Sequence, residues 1–264
     1  MMKYLKYIII GLIQGLTEPL PISSSAHMIF ISYYFDGVTL DLSTEVFINF
    51  ASTLAIFIFF YRDIKTLITN TFSKKSNSYL NKKYAFNLLF ASIPAIIIGL
   101  TLNDYIDQYF TNFFTSSVCL LITSIILVIA CVLLKKQQCN NEFISSSSAF
   151  TIGIFQGIAL LPGLSRSGLT LTGGLSRGVT LKKTLQFSFF LYLVASIGAL
   201  VLTLFKTDYA HIDFLQVILS SIVAFISTSF SIRWFYNKLN RHKLIFFAVY
   251  TFLVGSFNLA YYFL

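Results

Sequence analysis

Two polar segments interrupt a chain that is otherwise strongly apolar, and both contain residue types suited to phosphate chemistry. The first, residues 14–27, combines a carboxylate, three consecutive serines and an imidazole. A hydroxyl, a base and a proton carrier in one segment suit nucleophilic or acid–base catalysis. A carboxylate there also suits an oxygen-loving cation such as Mg²⁺ or Ca²⁺. The candidate residues of this segment are Gln14, Glu18, Ser23, Ser24, Ser25 and His27.

The second polar segment, residues 161–170, places one arginine among glycines and hydroxyl side chains. The planar guanidinium of Arg166 stays charged and binds phosphate through two N–H groups at once. Glycines and hydroxyls at the start of a helix, where backbone N–H groups are free, complete an anion cradle. The candidate residues of this segment are Ser165, Arg166, Ser167 and Thr170.

Purely structural readings of the same residues stay open. Arg166 could anchor a loop end, although Arg177 and Lys182 follow closely and serve that purpose already. The serines could satisfy a broken backbone, and His27 could pack against a lipid headgroup. The combination of Glu18 in one segment with Arg166 in the other favours a binding site for a phosphate or diphosphate.

The composition places both segments in a membrane protein. Of 264 residues, 56% are hydrophobic and 11% are charged, whereas soluble domains carry about 25% charged residues. The net charge of +9 comes from short basic clusters between apolar runs, which is the positive-inside pattern and not a nucleic-acid surface. We therefore expect a membrane bilayer as partner and no nucleic acid.

Inside a bilayer, the first polar segment is costly unless it has a function. An ionisable residue within a membrane segment indicates a functional site, which applies to Glu18 and His27. Pro19 and Pro21 prevent a continuous helix. Broken backbone at membrane depth is tolerated only where protein or water covers it. The segment therefore predicts a polar pocket within the membrane that a lipid-linked diphosphate can enter.

Hydrophobicity and charge predict the topology, since a spanning helix needs about 20 apolar residues. The segment 62–83 holds six basic residues and one acidic residue, which predicts a cytoplasmic loop. Asp104 and Asp107 predict an acidic outer loop. The predicted spans are 46–60, 84–102, 113–134, 187–205, 214–232 and 244–264.

Two further segments do not fit a simple span. Residues 143–176 begin and end at basic clusters and break near Pro162, so we expect a re-entrant helix hairpin. Residues 4–34, broken at Pro19–Pro21, predict a second hairpin with the N-terminus outside. The alternative is one broken span with the N-terminus inside, which Lys3 and Lys6 favour.

An internal repeat supports the two hairpins. Gly11-Leu-Ile-Gln-Gly-Leu matches Gly153-Ile-Phe-Gln-Gly-Ile at an offset of 142, which also pairs Ser23 with Ser165 and Ser25 with Ser167. Inverted repeats with broken helices that meet near the midplane are typical of secondary transporters. We predict an all-α integral membrane protein, with about six spanning helices plus two re-entrant helix hairpins in an inverted-topology repeat. It forms a single domain, 1–264, whose units cover about 1–136 and 143–264.

These motifs resemble the bacterial undecaprenyl-diphosphate phosphatase family, integral-membrane enzymes linked to bacitracin resistance. The resemblance lies in Gln14-Gly-Leu-Thr-Glu18, the following Pro-Leu-Pro-Ile-Ser-Ser-Ser-Ala-His27, and Pro162-Gly-Leu-Ser-Arg-Ser-Gly-Leu-Thr170. It runs nearly end to end. The resemblance implies hydrolysis of undecaprenyl diphosphate to undecaprenyl phosphate and inorganic phosphate, which recycles the carrier lipid for cell-wall synthesis.

The resemblance also implies roles for individual residues. The family's metal-binding element falls on Gln14 and Glu18, its essential histidine on His27, its pyrophosphate-binding arginine on Arg166 and its proposed nucleophile on Ser24. It implies a divalent cation, Mg²⁺ or Ca²⁺, at Glu18. It further implies a site that opens to the outer side of the inner membrane. A homodimer is an additional expectation.

Three positions depart from the family pattern: Pro19, Ala26 and Gln186 stand where Phe, Gly and Glu are common. They leave Glu18, His27 and Arg166 in place, and we expect weaker activity or an altered metal preference. Glu45, at the mouth of the first span, is a further carboxylate that could reach the site.

Two other functions are compatible with parts of the sequence. Lipid phosphatases with a Pro-Ser-Gly-His element need a second histidine soon after Ser-Arg, and none follows Arg166 until His211. A polyprenyl-phosphate flippase or transporter would suit the inverted repeat. Phosphate release in detergent separates this alternative from a phosphatase, because transport needs two compartments and no hydrolysis.

Overall fold

The computed structural model describes residues 2–35, 42–73, 78–136, 141–206 and 214–264. Within these ranges the chain forms eleven α-helices and no β-sheet. The helices are α1 Met2–Thr17, α2 Ser24–Tyr34, α3 Leu42–Phe59, α4 Tyr61–Phe72, α5 Ser78–Phe110, α6 Phe113–Lys136, α7 Ser146–Ile158, α8 Arg166–Ser176, α9 Leu181–Lys206, α10 Phe214–Lys238 and α11 Arg241–Phe263.

Five helices, α5, α6, α9, α10 and α11, are long and apolar enough to cross a membrane, and the pair α3–α4 can supply a sixth crossing. The six spans predicted from hydrophobicity each coincide with one of these elements. The prediction of an all-α, multi-pass membrane protein is confirmed.

The two segments predicted as loops around α5 contain helix, and their placement on the two sides of the membrane stays a prediction. Residues 61–72 form α4, bent by 70° from α3, because Ile64 and Leu67 recur at helical spacing and pack on the core. Helix α5 continues through the predicted acidic loop as far as Phe110. There the Asn103 amide donates to Asp107 Oδ2 across one helical turn (2.7 Å), which favours helix over loop.

Both predicted hairpins are present. Lys6 and Ile9, near the start of α1, line the same crevice as Ile31 and Phe35, at the end of α2. Helices α1 and α2 therefore run antiparallel, and the alternative of one broken span is wrong. In the second hairpin, Arg177 Nη2 just after α8 donates to Ser147 Oγ at the start of α7 (2.8 Å).

Buried apolar side chains fill the space between the helices, while the outer surface is also apolar. The largest core cluster draws on α3 and α5–α11 and is centred on aromatic side chains such as Phe60, Phe187 and Phe235. Many large apolar side chains outside it are exposed, among them Phe86, Ile125 and Phe230. Such a surface is expected where lipid, and not water, is the solvent.

The repeated Gly-x-x-Gln-Gly motif is explained by close helix packing. Helix α1 packs on α10 and α7 packs on α5, so each hairpin contacts a span from the other half of the chain. A Cβ on Gly11 would lie 2.2 Å from the Ser220 carbonyl oxygen, and one on Gly153 would lie 2.4 Å from the Ala91 carbonyl oxygen. Only glycine allows these approaches, as at other small-residue interfaces in membranes. The limits of the two units, 1–136 and 143–264, stay a prediction.

We expect Gly11→Ala to destabilise the protein by about 1–3 kcal/mol, since the new methyl group overpacks the α1–α10 contact. Gly198→Ala is the matched control, because a Cβ there meets nothing within 4 Å. Thermal unfolding of the detergent-purified proteins measures both. Equal unfolding temperatures for the two variants would show that the α1–α10 contact is not close.

Candidate active site

The tips of the two hairpins touch each other inside the helix bundle. The Gly163 N–H donates to Ser25 Oγ (3.3 Å), and Ser167 Oγ donates to the Leu20 carbonyl (3.0 Å). Helix α6 supports the contact, because Thr123 Oγ1 donates to the Gly163 carbonyl (3.0 Å). The predicted meeting of the two polar segments is confirmed, and three separate parts of the chain fix its geometry.

Ser23 and Ser165 begin the second helix of each hairpin. Ser23 Oγ accepts from the Ala26 N–H (3.3 Å), and Ser165 Oγ accepts from the Gly168 N–H (3.2 Å). Serine is a favoured N-cap because its oxygen satisfies a free N–H of the first turn. Ser23 has a φ of 65°, which non-glycine residues rarely adopt, so the sharp turn into α2 is strained. These hydroxyls are thus used by the fold, and their contact with phosphate stays a prediction.

Glu18 is the centre of the polar cluster, and its side chain is 1% exposed. Its Oε1 accepts from Arg166 Nη2 across the hairpin contact. Its Oε2 accepts from Gln14 Nε2 (2.9 Å) and from Ser24 Oγ (2.6 Å). A buried carboxylate is tolerated only when it is paired and hydrogen-bonded, and here both oxygens are used. The structure therefore joins four of the candidate residues in one network.

Arg166 is held by an aromatic ring as well as by the carboxylate. Its guanidinium carbon lies 3.5 Å from the centroid of the Tyr192 ring, a cation–π contact. The Tyr192 hydroxyl donates to Asn49 Oδ1 (2.8 Å) and accepts from Thr53 Oγ1 (2.8 Å). These three residues of α3 and α9 were not among the predicted site residues. Asn49, a polar residue within the apolar run 46–60, was the signal available.

His27 has a defined hydrogen-bond pattern. Its Nδ1 lies 2.8 Å from the Ser23 carbonyl oxygen, which can only accept, so Nδ1 carries the proton. In the neutral ring, Nε2 then accepts from the Tyr250 hydroxyl, at 2.8 Å. The two rings are also parallel, with centroids 5.7 Å apart. Tyr250 of α11 was missed, because nothing in the sequence distinguishes it from the other 14 tyrosines.

Thr170 lies at the edge of this cluster, and Glu45 is the further carboxylate named from the sequence. Thr170 Oγ1 donates to the Arg166 carbonyl (2.8 Å) and shares a hydrogen bond with Ser188 Oγ (2.5 Å), so it ties α8 to α9. Glu45 lies in the first turn of α3, and its contact with the site stays a prediction. Pro19 lies between α1 and α2, where its missing N–H costs nothing.

The two halves of the chain share the glycines and serines that shape the hairpins, but they differ in the residues that could do chemistry. At the offset of 142, Glu18 corresponds to Leu160, His27 to Leu169 and Ser24 to Arg166. The two hairpins therefore form one site with a carboxylate side and a guanidinium side, and not two equal sites. Gln14 corresponds to Gln156, which is 2% exposed. Within the part of the chain that the structure describes, the Gln156 amide has no hydrogen-bond partner.

The family model of the bacitracin resistance protein BacA matches residues 7–257. The chain belongs to the BacA family. Among its relatives, undecaprenyl-diphosphatase 2 of Bacillus thuringiensis is 35% identical over 97% of each chain. Undecaprenyl-diphosphatase 1 of Bacillus licheniformis is 34% identical over 95% of each chain, and undecaprenyl-diphosphatase of Acholeplasma laidlawii is 33% identical over 98%.

The site of this BacA-family chain offers few groups to a metal ion. No cluster of three or more His, Cys, Asp or Glu side chains occurs within the described ranges. Glu18 Oε, Ser24 Oγ and the Gln14 amide are oxygen donors of the kind that Mg²⁺ accepts. They fit a cation only if phosphate oxygens or water complete the shell, because Glu18 is the single carboxylate among them.

We expect Gln156→Met to leave stability unchanged or to raise the unfolding temperature by about 2–4 °C, since it removes a buried amide without partners. Gln14→Met is the matched control and should lower the unfolding temperature, because Glu18 Oε2 loses a donor. Thermal unfolding in detergent compares them. A drop for Gln156→Met as large as that for Gln14→Met would mean that a bound molecule satisfies Gln156.

Proposed function

We propose that this protein hydrolyses undecaprenyl diphosphate to undecaprenyl phosphate and inorganic phosphate. The reaction recycles the lipid carrier for peptidoglycan synthesis and confers bacitracin resistance. Membership of the BacA family and relatives named undecaprenyl-diphosphatase support this activity. The observation that carries it is the network of Arg166, Glu18 and Ser24 at the hairpin contact, within a membrane bundle.

Arg166 is the residue that binds the phosphate groups of the substrate in this proposal. Arg166 has five N–H donors, of which the bond to Glu18 uses only part, so the others can bind phosphate oxygens. The Tyr192 ring keeps the guanidinium plane in one orientation. The prenyl tail stays in hydrocarbon along the apolar outer surface, while the headgroup reaches the tips.

The contact between Ser24 and Glu18 suits nucleophilic attack. The Ser24 hydroxyl donates to Glu18 Oε2, so the carboxylate is placed to take the proton as the oxygen attacks. The Oγ–P bond forms at the terminal phosphorus, the bond from that phosphorus to the bridging oxygen breaks, and undecaprenyl phosphate leaves. Water then releases inorganic phosphate from Ser24. Direct attack by water, with Glu18 as base, is the second route.

His27 and Tyr250 serve proton transfer near this position. His27 follows Ser24 by one turn of α2, and its Nε2 is the ring atom that can accept a proton. Tyr250 and the Ser23 carbonyl fix the tautomer and the plane of the ring. Positioning and charge neutralisation supply most of the acceleration in phosphoryl transfer, and the hairpin contact supplies both.

A divalent cation, Mg²⁺ or Ca²⁺, is part of the proposal. Glu18 would hold it together with the diphosphate, with Gln14 or Ser24 as a further oxygen donor. When bound, the cation neutralises charge on the phosphate oxygens. Glu18 accepts from one Arg166 nitrogen only, so it could hold the cation while the other guanidinium N–H groups bind the diphosphate.

We propose that the protein lies in the bacterial plasma membrane as a homodimer, with its site open to the outer side. The basic ends of α5 and α6, with Lys83 and Lys136, favour the cytoplasmic face, and Asp107 at the other end of α5 favours the outside.

An impermeant thiol reagent applied to intact cells should label Asp107→Cys and spare Lys83→Cys. Light scattering of the detergent complex measures the oligomeric state.

Arg166→Ala should abolish phosphate release from undecaprenyl diphosphate in detergent, and Arg166→Lys should retain only a small fraction of it. Lysine keeps the charge but loses the planar fork. Arg177→Ala is the matched control, because Arg177 is an exposed arginine at the end of α8. A folded Arg166→Ala protein that retains turnover would remove Arg166 from the site, and a protein that moves lipid without releasing phosphate would favour the flippase.

Tyr250→Phe should lower kcat roughly five- to ten-fold with little change in KM, since His27 loses one hydrogen bond worth about 1 kcal/mol. The pH profile of kcat should shift as well, which a merely structural loss would not produce. Tyr84→Phe is the matched control, because the buried Tyr84 hydroxyl has no hydrogen-bond partner among the described residues. Equal kinetics for the two variants would contradict a positioning role for Tyr250.

Chelation should stop phosphate release, and added Mg²⁺ or Ca²⁺ should restore it. Glu18→Gln should stay inactive at any cation concentration, because the amide binds cations weakly. Glu45→Gln is the comparison variant that tests the second nearby carboxylate. Full turnover in chelator would exclude the cation, and Glu45→Gln with the same loss as Glu18→Gln would place both carboxylates in the site.

A further inference from the structure

Helix α4 is a short, exposed helix that differs in direction from α3, the helix before it. It joins α3 to α5, turns 70° away from α3, and has no fully buried residue. Residues 46–60 of α3 are predicted as a crossing, and α5 is long and apolar enough to be one. If α3 crosses the membrane without α4, a helix bent this far from it lies close to the membrane plane. Arg62, Asp63 and Lys65 argue against α4 as the second half of a crossing, since charges in hydrocarbon are costly.

The side chains of α4 are arranged in sectors around its axis. Successive residues turn by about 100°, so Tyr61, Ile68 and Phe72 share one narrow sector. All three are exposed, by 51%, 53% and 85%. On one side of this sector Ile64 and Leu67 pack against the protein core. The exposed apolar sector therefore faces outwards beside the protein, where the acyl chains of a leaflet lie.

The charges of α4 are sorted in the same way. Lys65 borders the apolar sector on the side away from the core, and Arg62 follows it. Both are exposed. Asp63 lies nearly opposite the apolar sector and interacts electrostatically with Tyr236 of α10. Going around the helix, one side packs on the protein core and the next faces the acyl chains. The basic side chains follow, and the last side faces water. This is the pattern of an interfacial helix.

Neighbouring residues place this end of the bundle at headgroup level. Lys82 and Lys83 are exposed at the start of α5, on which α4 packs. The single tryptophan of the chain, Trp234 near the end of α10, is 42% exposed, and Lys243 Nζ lies 4.4 Å from its ring centroid. Tryptophan is enriched where membrane meets water.

We propose that α4 is an interfacial helix that seats in the cytoplasmic leaflet and binds anionic phospholipid headgroups through Arg62 and Lys65. Tyr61, Ile68 and Phe72 enter the acyl region and hold the helix at a fixed depth. The two basic side chains then lie at the level of the lipid phosphates. Each contributes about a five-fold preference for an anionic over a zwitterionic lipid.

A fluorescent probe on single cysteines tests the depth of α4. For labelling, Cys139 is replaced by serine (Cys139→Ser) so that it does not react with the probe. Cys119 and Cys131 are buried and can remain. An NBD probe at Ile68→Cys should emit at shorter wavelength in phosphatidylcholine–phosphatidylglycerol nanodiscs than the same probe at Thr66→Cys, which lies on the polar side. Equal emission at the two positions would overturn the proposal.

The same probe tests the preference for anionic lipid. Spin-labelled phosphatidylglycerol should quench NBD at Ile68→Cys more than spin-labelled phosphatidylcholine does, and Arg62→Gln with Lys65→Gln should abolish this difference. Arg233→Gln with Lys238→Gln, exposed residues of α10, removes the same charge and should preserve it. Equal quenching by both lipids, or a difference that survives Arg62→Gln with Lys65→Gln, would overturn the proposal. The measurement needs no turnover and is independent of the proposed hydrolysis.

Discussion

The ion pair between Glu18 and Arg166 is the interaction on which the polar centre of this protein depends. Each residue alone would be an unpaired charge inside a membrane bundle, and breaking a buried pair by removing one partner typically costs about 3–5 kcal/mol. The two residues come from different hairpins, separated by 148 positions in the chain. The pair therefore forms only when both hairpins have inserted and their tips have met.

The requirement for contact between the tips accounts for much of the surrounding structure. Glycines at the same position of α1 and α7 let both hairpins approach spans from the opposite half. Serines cap the second helix of each hairpin and bridge to the other tip. These framework residues repeat between the halves because the packing problem is the same in each.

The proposed function depends on the positions where the repeat is broken. An acidic side, with Glu18, Ser24 and His27, faces a basic side, with Arg166. Aromatic residues from two later helices then fix the mobile groups, Tyr192 under the guanidinium and Tyr250 against the imidazole. A pseudo-symmetric scaffold thus carries an asymmetric site, which is what a diphosphate with one leaving and one transferred phosphoryl group needs.

The sequence by itself determined the membrane class, the spans, the two hairpins and the candidate residues. Each of these depends on local properties, namely hydrophobic length, charge between spans, prolines and the spacing of a short repeat. Helix α4 and the C-terminal end of α5 were not predicted as helix, because a hydropathy criterion for spans overlooks short amphipathic helices and local side-chain hydrogen bonds. Only the tertiary structure decided that Glu18 pairs with Arg166, that Tyr192, Asn49 and Thr53 hold the arginine, and that Tyr250 meets His27. Apart from Arg166 and Tyr192, which lie on the neighbouring helices α8 and α9, these partners are separated by more than 100 residues along the chain. Their meeting follows from how the helices pack, which no local pattern records.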